Sequence, residues 1–109
     1  MAVFVDNMRA SFGDMVMCHC IADTHDELVA MMDRIGVQRK WIQKPGTYHE
    51  HFDICLAKRK LAVRAGAIEI TTKELVQKSL DRKMSAAMNE LKDQIMEDLL
   101  RPQLTSTSN

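Results

Sequence analysis

Apolar residues fall along this chain in two rhythms. Residues 2–5 and 15–22 are short, β-prone and apolar, and read as strands. Between them, residues 8–14 carry Arg9 and Gly13 and read as a loop. From residue 24 the spacing turns helical: Leu28, Met31, Met32 and Ile35 share one face. Thr24 and Glu27 fit a capping box, and the acidic residues around them suit the positive end of the helix dipole. Gly36 stands where a left-handed C-terminal residue belongs.

Residues 37–43 are expected to hold a third strand around Trp41 and Ile42, followed by a turn at Lys44-Pro45-Gly46-Thr47. Asp53 is a natural N-cap for a second helix over about residues 54–65, with Leu61, Ala62 and Ala65 on its buried side. Residues 67–70 make a short strand. Thr71 and Glu74 then form a second capping box, which opens a long last helix. Along it Leu80, Met84, Met88, Leu91, Ile95 and Leu99 recur at spacings of four, four, three, four and four, close to a coiled-coil seam. Past Leu80 the core of so small a domain is already covered. A second copy is the simplest cover for the stripe, so a homodimer is expected; the competing expectation is a helix folded back on its own sheet. The whole predicts an α/β fold: a small mixed or parallel sheet covered by helices, with a long C-terminal helix. Residues 1–80 form the core domain, 81–101 the extended helix, and 102–109 a disordered polar tail.

Composition narrows the function classes. A chain of 109 residues with 46% hydrophobic and 28% charged residues is one globular domain. Fifteen basic residues balance fifteen acidic ones, so there is no global basic field. Phe4, Phe12, Trp41, Tyr48 and Phe52 make no stacking platform, and nucleic acid is not the expected partner. No apolar run approaches ~20 residues, so no membrane span is expected. The first residues lack a basic segment and reach Asp6 too soon for a signal peptide, which points to the cytoplasm. Three cysteines, an odd number, argue against a disulfide framework. Cys18 and Cys20 share one strand face, opposite His19, and read as small core residues. Most of the nine methionines sit at helical spacing, as core filling or an adaptable interface. No phosphate-binding loop, dinucleotide fingerprint or His-Glu-x-x-His motif is present.

Several segments carry a family resemblance: Val3-Phe4-Val5-Asp6-Asn7-Met8-Arg9, Met17-Cys18-His19-Cys20-Ile21-Ala22-Asp23, the Asp26-Glu27-Leu28 that follows, His51-Phe52-Asp53-Ile54, Lys58-Arg59 and Ala65-Gly66-Ala67-Ile68-Glu69-Ile70. Together they resemble a small bacterial and phage family known as domain of unknown function number 4031. The resemblance covers roughly residues 2–80, with the residues after about 83 as an extension. It implies the domain and a phage or prophage origin, and no reaction. Phe52 stands where the family's pattern has tyrosine, which puts any role of a phenol hydroxyl in doubt.

The polar residues of these segments fall at element ends, where α/β proteins gather ligands. Asp6, Arg9, His19, His51, Asp53 and Lys58 are the candidate ligand-binding residues. Arg9, Lys58 and a protonated His51 beside the N-terminus of the second helix suit a phosphate. Asp53 would orient the loop and His19 would line the pocket. The first expectation is therefore a binding module for a phosphate-bearing small molecule, foremost a nucleotide; a phage protein of this kind would sequester a host signalling nucleotide. The second is a nucleotide phosphohydrolase or phosphodiesterase, with His19 or His51 as acid or base. The third is an interaction factor that docks its C-terminal helix on a host protein. His19, His51, Asp53 and Asp6 also suit a metal hydrolase, and His49 pairs with His51, but spacing alone assigns no metal, cofactor or catalytic residue. Cys55, read as one residue into a helix and four from His51, suits a thiol nucleophile less well than a buried core position. Each residue also has an ordinary structural role open to it: cap, loop-tying ion pair or solvated helix face.

Overall fold

The computed structural model describes residues 2–101. Five strands and three helices follow in the order β1 (Val3–Val5), β2 (Ala10–Phe12), β3 (Met15–Ala22), α1 (His25–Ile35), β4 (Phe52–Cys55), α2 (Leu56–Arg64), β5 (Ile68–Glu69) and α3 (Thr72–Leu100). The architecture is α/β, with a mixed sheet and a long C-terminal helix.

β3 is the spine of the sheet. Cys20 pairs with both Val5 and Phe52, and Met17 pairs with both Ala10 and Cys55. A residue has one neighbour on each side, so β1 and β2 share one edge of β3 and β4 takes the other. These pairings are antiparallel; β5 adds to the far side of β1 in parallel. Between β1 and β2 the ladder is interrupted, and residues 6–9 bridge the gap.

Alternation along the strands divides the side chains between two faces. Val3, Val5, Cys20, Ala22, Phe52 and Ile54 join Leu28, Val29, Met31, Met32 and Ile35 of α1 and Ala62 of α2 in the main core. Phe4 and Ile21, on the other face, pack with Leu75 of α3. Phe52 and Leu28 are almost wholly buried, and each such side chain contributes about 2–3 kcal/mol of transfer free energy.

The capping chemistry predicted at Thr24 and at Thr71 is present. Thr24 accepts the Glu27 N–H, and Gly36 closes α1 at φ +80. Thr71 and Glu74 make a reciprocal capping box at α3. Cys18 and Cys20 are buried on the face opposite His19, as the strand reading requires.

Three local expectations are corrected. Residues 8–14 are not all loop: Phe12 pairs with Met15 around Gly13-Asp14, with Gly13 at φ +61, the positive φ of a two-residue hairpin turn. The segment around Trp41 is a short 3-10 helix, Arg39–Trp41, and extended pairing appears only at Gln43, which bridges His51. Asp53 caps no helix. It lies in β4, and Cys55 is the N-cap of α2, without a side-chain cap bond.

α3 buries Leu75 and Ser79 in its first two turns, and Lys78 and Lys83 lie over the rings of Phe4 and Tyr48 at 4.1 and 5.3 Å. It then leaves the domain, and the molecule measures 71 × 25 × 25 Å. The stripe from Leu80 to Leu99 is exposed. The tail expected over residues 102–109 lies outside the described residues.

Candidate metal centre

The strand register places Asp53 directly opposite His19. On the other edge of β3, Asp6 follows β1 and its N–H donates to the His19 carbonyl at 3.1 Å. Asp6, His19 and Asp53 therefore form a row across three strands, on the face opposite the main core. His51 shares the parity of Asp53 and stands beside it.

Asp6 is fully buried, and four donors meet its carboxylate. Oδ1 accepts the His19 N–H at 2.8 Å and the Met8 N–H at 3.3 Å; Oδ2 accepts from His19 Nδ1 at 2.8 Å and Thr72 Oγ1 at 3.2 Å. Its backbone carbonyl accepts from Arg59 Nε at 2.8 Å, while Arg59 also holds Glu69 at 2.9 Å. An ionised carboxylate can only accept, so Nδ1 of His19 carries a proton. Nε2 of a neutral His19 is then a free lone pair, aimed at Asp53 Oδ1, 3.7 Å away.

His51 repeats the device with a different partner. Its Nδ1 donates to the His49 carbonyl at 2.7 Å, which leaves Nε2 facing the same Asp53 Oδ1 at 3.5 Å. The two rings meet edge to face, 5.4 Å between centroids. Ligand atoms of His19, His51 and Asp53 all lie within 4.8 Å of one another. Ligands 2.0–2.2 Å from a common ion at tetrahedral angles stand about 3.4 Å apart, so small side-chain movements close this set on a metal. Two imidazoles and one carboxylate, each imidazole oriented through its second nitrogen, make a familiar donor set for zinc or another divalent transition metal.

The set opens to solvent through a cavity of about 630 Å³. His19 and Asp53 reach its wall, with Met15, Met17, Val37 and Trp41 among its apolar lining. The volume is in the range of small-molecule sites. Outside the residues that line it, His49 lies 4.8 Å, centroid to centroid, from His51. Burial, and then the nearby His51 and His19, hold its pKa below the ordinary histidine value.

Of the six candidate ligand residues, four converge: Asp6, His19, His51 and Asp53. Lys58 does not join them. It rises from α2 on the other side of the sheet and donates from Nζ to the Ile35 carbonyl at 2.9 Å, satisfying the C-terminus of α1. Arg9 is exposed and makes no hydrogen bond or ion pair among the described residues. Phe52 is fully buried in the opposite core, away from the cluster. Cys55 ends β4 and does not lie within α2. Thr72, Trp41 and Gln43 carried no site signal in the sequence; Trp41 stands out only as the single tryptophan, exposed at the cavity.

The chain belongs to the family described as "Protein of unknown function (DUF4031)", whose model matches residues 3–82. All four converging residues fall inside that match, and most of the exposed stripe of α3 falls outside it. No curated protein and no solved structure matches the chain.

Proposed function

We propose that this protein is a metal-dependent hydrolase of phosphate esters in small molecules, with a nucleotide as the foremost substrate. The observation that carries the reading is the convergence of His19 Nε2 and His51 Nε2 on one Asp53 oxygen, each ring fixed by a hydrogen bond at Nδ1. His19, His51 and Asp53 would hold a divalent ion, which would supply Lewis acidity and an activated water, the chemistry a phosphoester needs at neutral pH.

The protein's own residues have separable roles. Asp6 sets the tautomer and orientation of His19. The His49 carbonyl does the same for His51. The apolar cavity walls at Met17, Val37 and Trp41 suit a nucleobase. With Lys58 engaged at α1, the exposed Arg9 is the remaining candidate cation for the phosphate.

The test is turnover. Chelator-stripped protein reloaded with Zn(II) or Mn(II) is incubated with nucleoside mono-, di- and triphosphates and cyclic dinucleotides, and product is followed by chromatography. The reading expects metal-dependent product formation that His51→Ala and Asp53→Ala abolish. Metal binding with no product from any nucleotide would overturn the hydrolase step. A tight, unturned-over complex would then restore the simple binding module.

A further inference from the structure

The exposed face of α3 has a spacing that reads the same in both directions. Leu80, Met84, Met88, Leu91, Ile95 and Leu99 are separated by four, four, three, four and four residues. Laid against its own reverse, the stripe sets Leu80 opposite Leu99, Met84 opposite Ile95, and Met88 opposite Leu91. A two-fold axis between Met88 and Leu91 thus satisfies the whole stripe at once, as an isologous interface requires. The repeat of four, four and three spans eleven residues, so such helices would lie nearly straight along each other.

We infer that residues 80–99 of α3 form an antiparallel homodimer with the same segment of a second copy. Three further observations select this occupant. The stripe points away from the protein's own sheet, because Leu75 and Ser79, which pack inward, lie on the opposite side of the helix. Its six side chains are 47–75% exposed and offer roughly 600 Å² of apolar surface per copy, close to the ~800 Å² per partner of a standard stable interface. Charge divides along the helix as well. Lys78, Arg82 and Lys83 against Asp81 leave +2 over residues 78–83, and Glu97 and Asp98 against Arg101 leave −1 over 96–101, the segment this register sets opposite them. Antiparallel pairing puts the basic half on the acidic half and opposes the helix dipoles. Parallel pairing puts like on like.

The consequence is a dumbbell. Two domains lie at opposite ends, their metal centres separated by the full helical overlap. The single chain is 71 Å long; overlapping two over about 30 Å of helix gives a particle of roughly 110 Å. A parallel pair would stay near the length of one chain.

The experiment uses the full chain. Light scattering coupled to size exclusion should give twice the 12.4 kDa chain mass, and small-angle scattering a maximum dimension near 110 Å. Leu91→Glu, which touches no core residue, should yield a folded monomer with an unchanged melting temperature. Orientation is read by mixing Leu80→Cys chains with Leu99→Cys chains under mild oxidation. Only the mixture should cross-link between positions 80 and 99, as mapped by peptide mass spectrometry. A monomer at 100 µM, or Leu80→Cys chains that cross-link to one another at position 80, would overturn the inference.

Discussion

Asp6→Asn is the substitution that probes the candidate metal centre most selectively, because it changes almost no volume and turns the acceptor that meets His19 Nδ1 and Thr72 Oγ1 into a donor. The amide oxygen can still accept the His19 N–H. The amide nitrogen, now a donor, would face His19 Nδ1 in place of Oδ2. Nδ1 must then accept, the ring proton moves to Nε2, and the lone pair aimed at Asp53 is lost. Second-sphere changes of this kind typically cost 10–100-fold in metal affinity, and a wrong tautomer belongs at the upper end. Stability falls too. Four donors meet the Asp6 carboxylate, at 2.8, 2.8, 3.2 and 3.3 Å. Hydrogen bonds to a charged acceptor are worth about 1.5–3 kcal/mol each against about 1 for neutral ones, so weakening or losing them costs about 2–4 kcal/mol. At ~4 °C per kcal/mol for a domain of this size, the melting temperature drops by roughly 10 °C. Calorimetry of the metal-free protein measures the second effect, and Zn(II) titration calorimetry at 15 °C, well below the melt, measures the first. A folded Asp6→Asn protein that binds Zn(II) within twofold of the parent would refute the claim that Asp6 holds His19 in its ligating tautomer.

Other consequences follow from separate parts of the fold. Lys58→Met should lower stability by about 1–2 kcal/mol, since it leaves the Ile35 carbonyl short of a donor, and should leave Zn(II) affinity unchanged in the same titration. Thr71→Ala removes half of the α3 capping box and should cost about 1 kcal/mol in urea unfolding. Burial, followed by the charge of Asp6, pushes the Cys20 thiol up to about 12, and burial also raises Cys18, so iodoacetamide at pH 8 should alkylate Cys55 first; mass mapping that finds Cys20 modified in the folded protein would contradict the packing. His49 gives a pH dependence of definite sign. Its folded pKa lies below the ordinary 6.5, so the unfolded chain binds the proton first as pH falls. The stability is present above about 6.5 and is lost as pH drops through the lowered value. In metal-free buffer, His49→Gln should therefore flatten part of the decline in melting temperature between pH 7 and pH 5.

Much of the architecture is legible in the sequence where local chemistry decides it. The helix starts at Thr24 and Thr71 are set by side chains that bond within one turn, and the buried face of α1 follows from spacing alone. The Phe12-Gly13-Asp14-Met15 hairpin reads as loop instead: a Gly-Asp pair suits a two-residue turn, but the three-residue β2 offers too little alternation to stand out. β4 escaped for a different reason. Asp53 before a run rich in Ala, Leu, Lys and Arg imitates a helix start, yet Phe52 and Ile54 bury on one face while Asp53 turns outward. Pairing with β3 supplied that choice, and helical propensity had no say in it. The site shows the same division. His51 and Asp53, two residues apart, suit ligands on an extended segment. What brings His19 to them is the register of β3 against β4, and what brings Asp6 is the register of β1 against β3. Both are long-range features that no local pattern encodes. Lys58 does not reach the site because α2 carries Lys58, Arg59 and Lys60 on successive sides, and which of them meets a neighbouring helix end depends on packing.

The most direct test of the metal centre is a titration of chelator-stripped, full-length protein with Zn(II) and Mn(II) by calorimetry, alongside His19→Ala, His51→Ala and Asp53→Ala. The geometry predicts one ion per chain in the parent and a loss of at least 100-fold in affinity in each variant, with the fold retained by circular dichroism. A parent protein that takes up neither ion at micromolar concentration, or variants that bind as well as the parent, would contradict it.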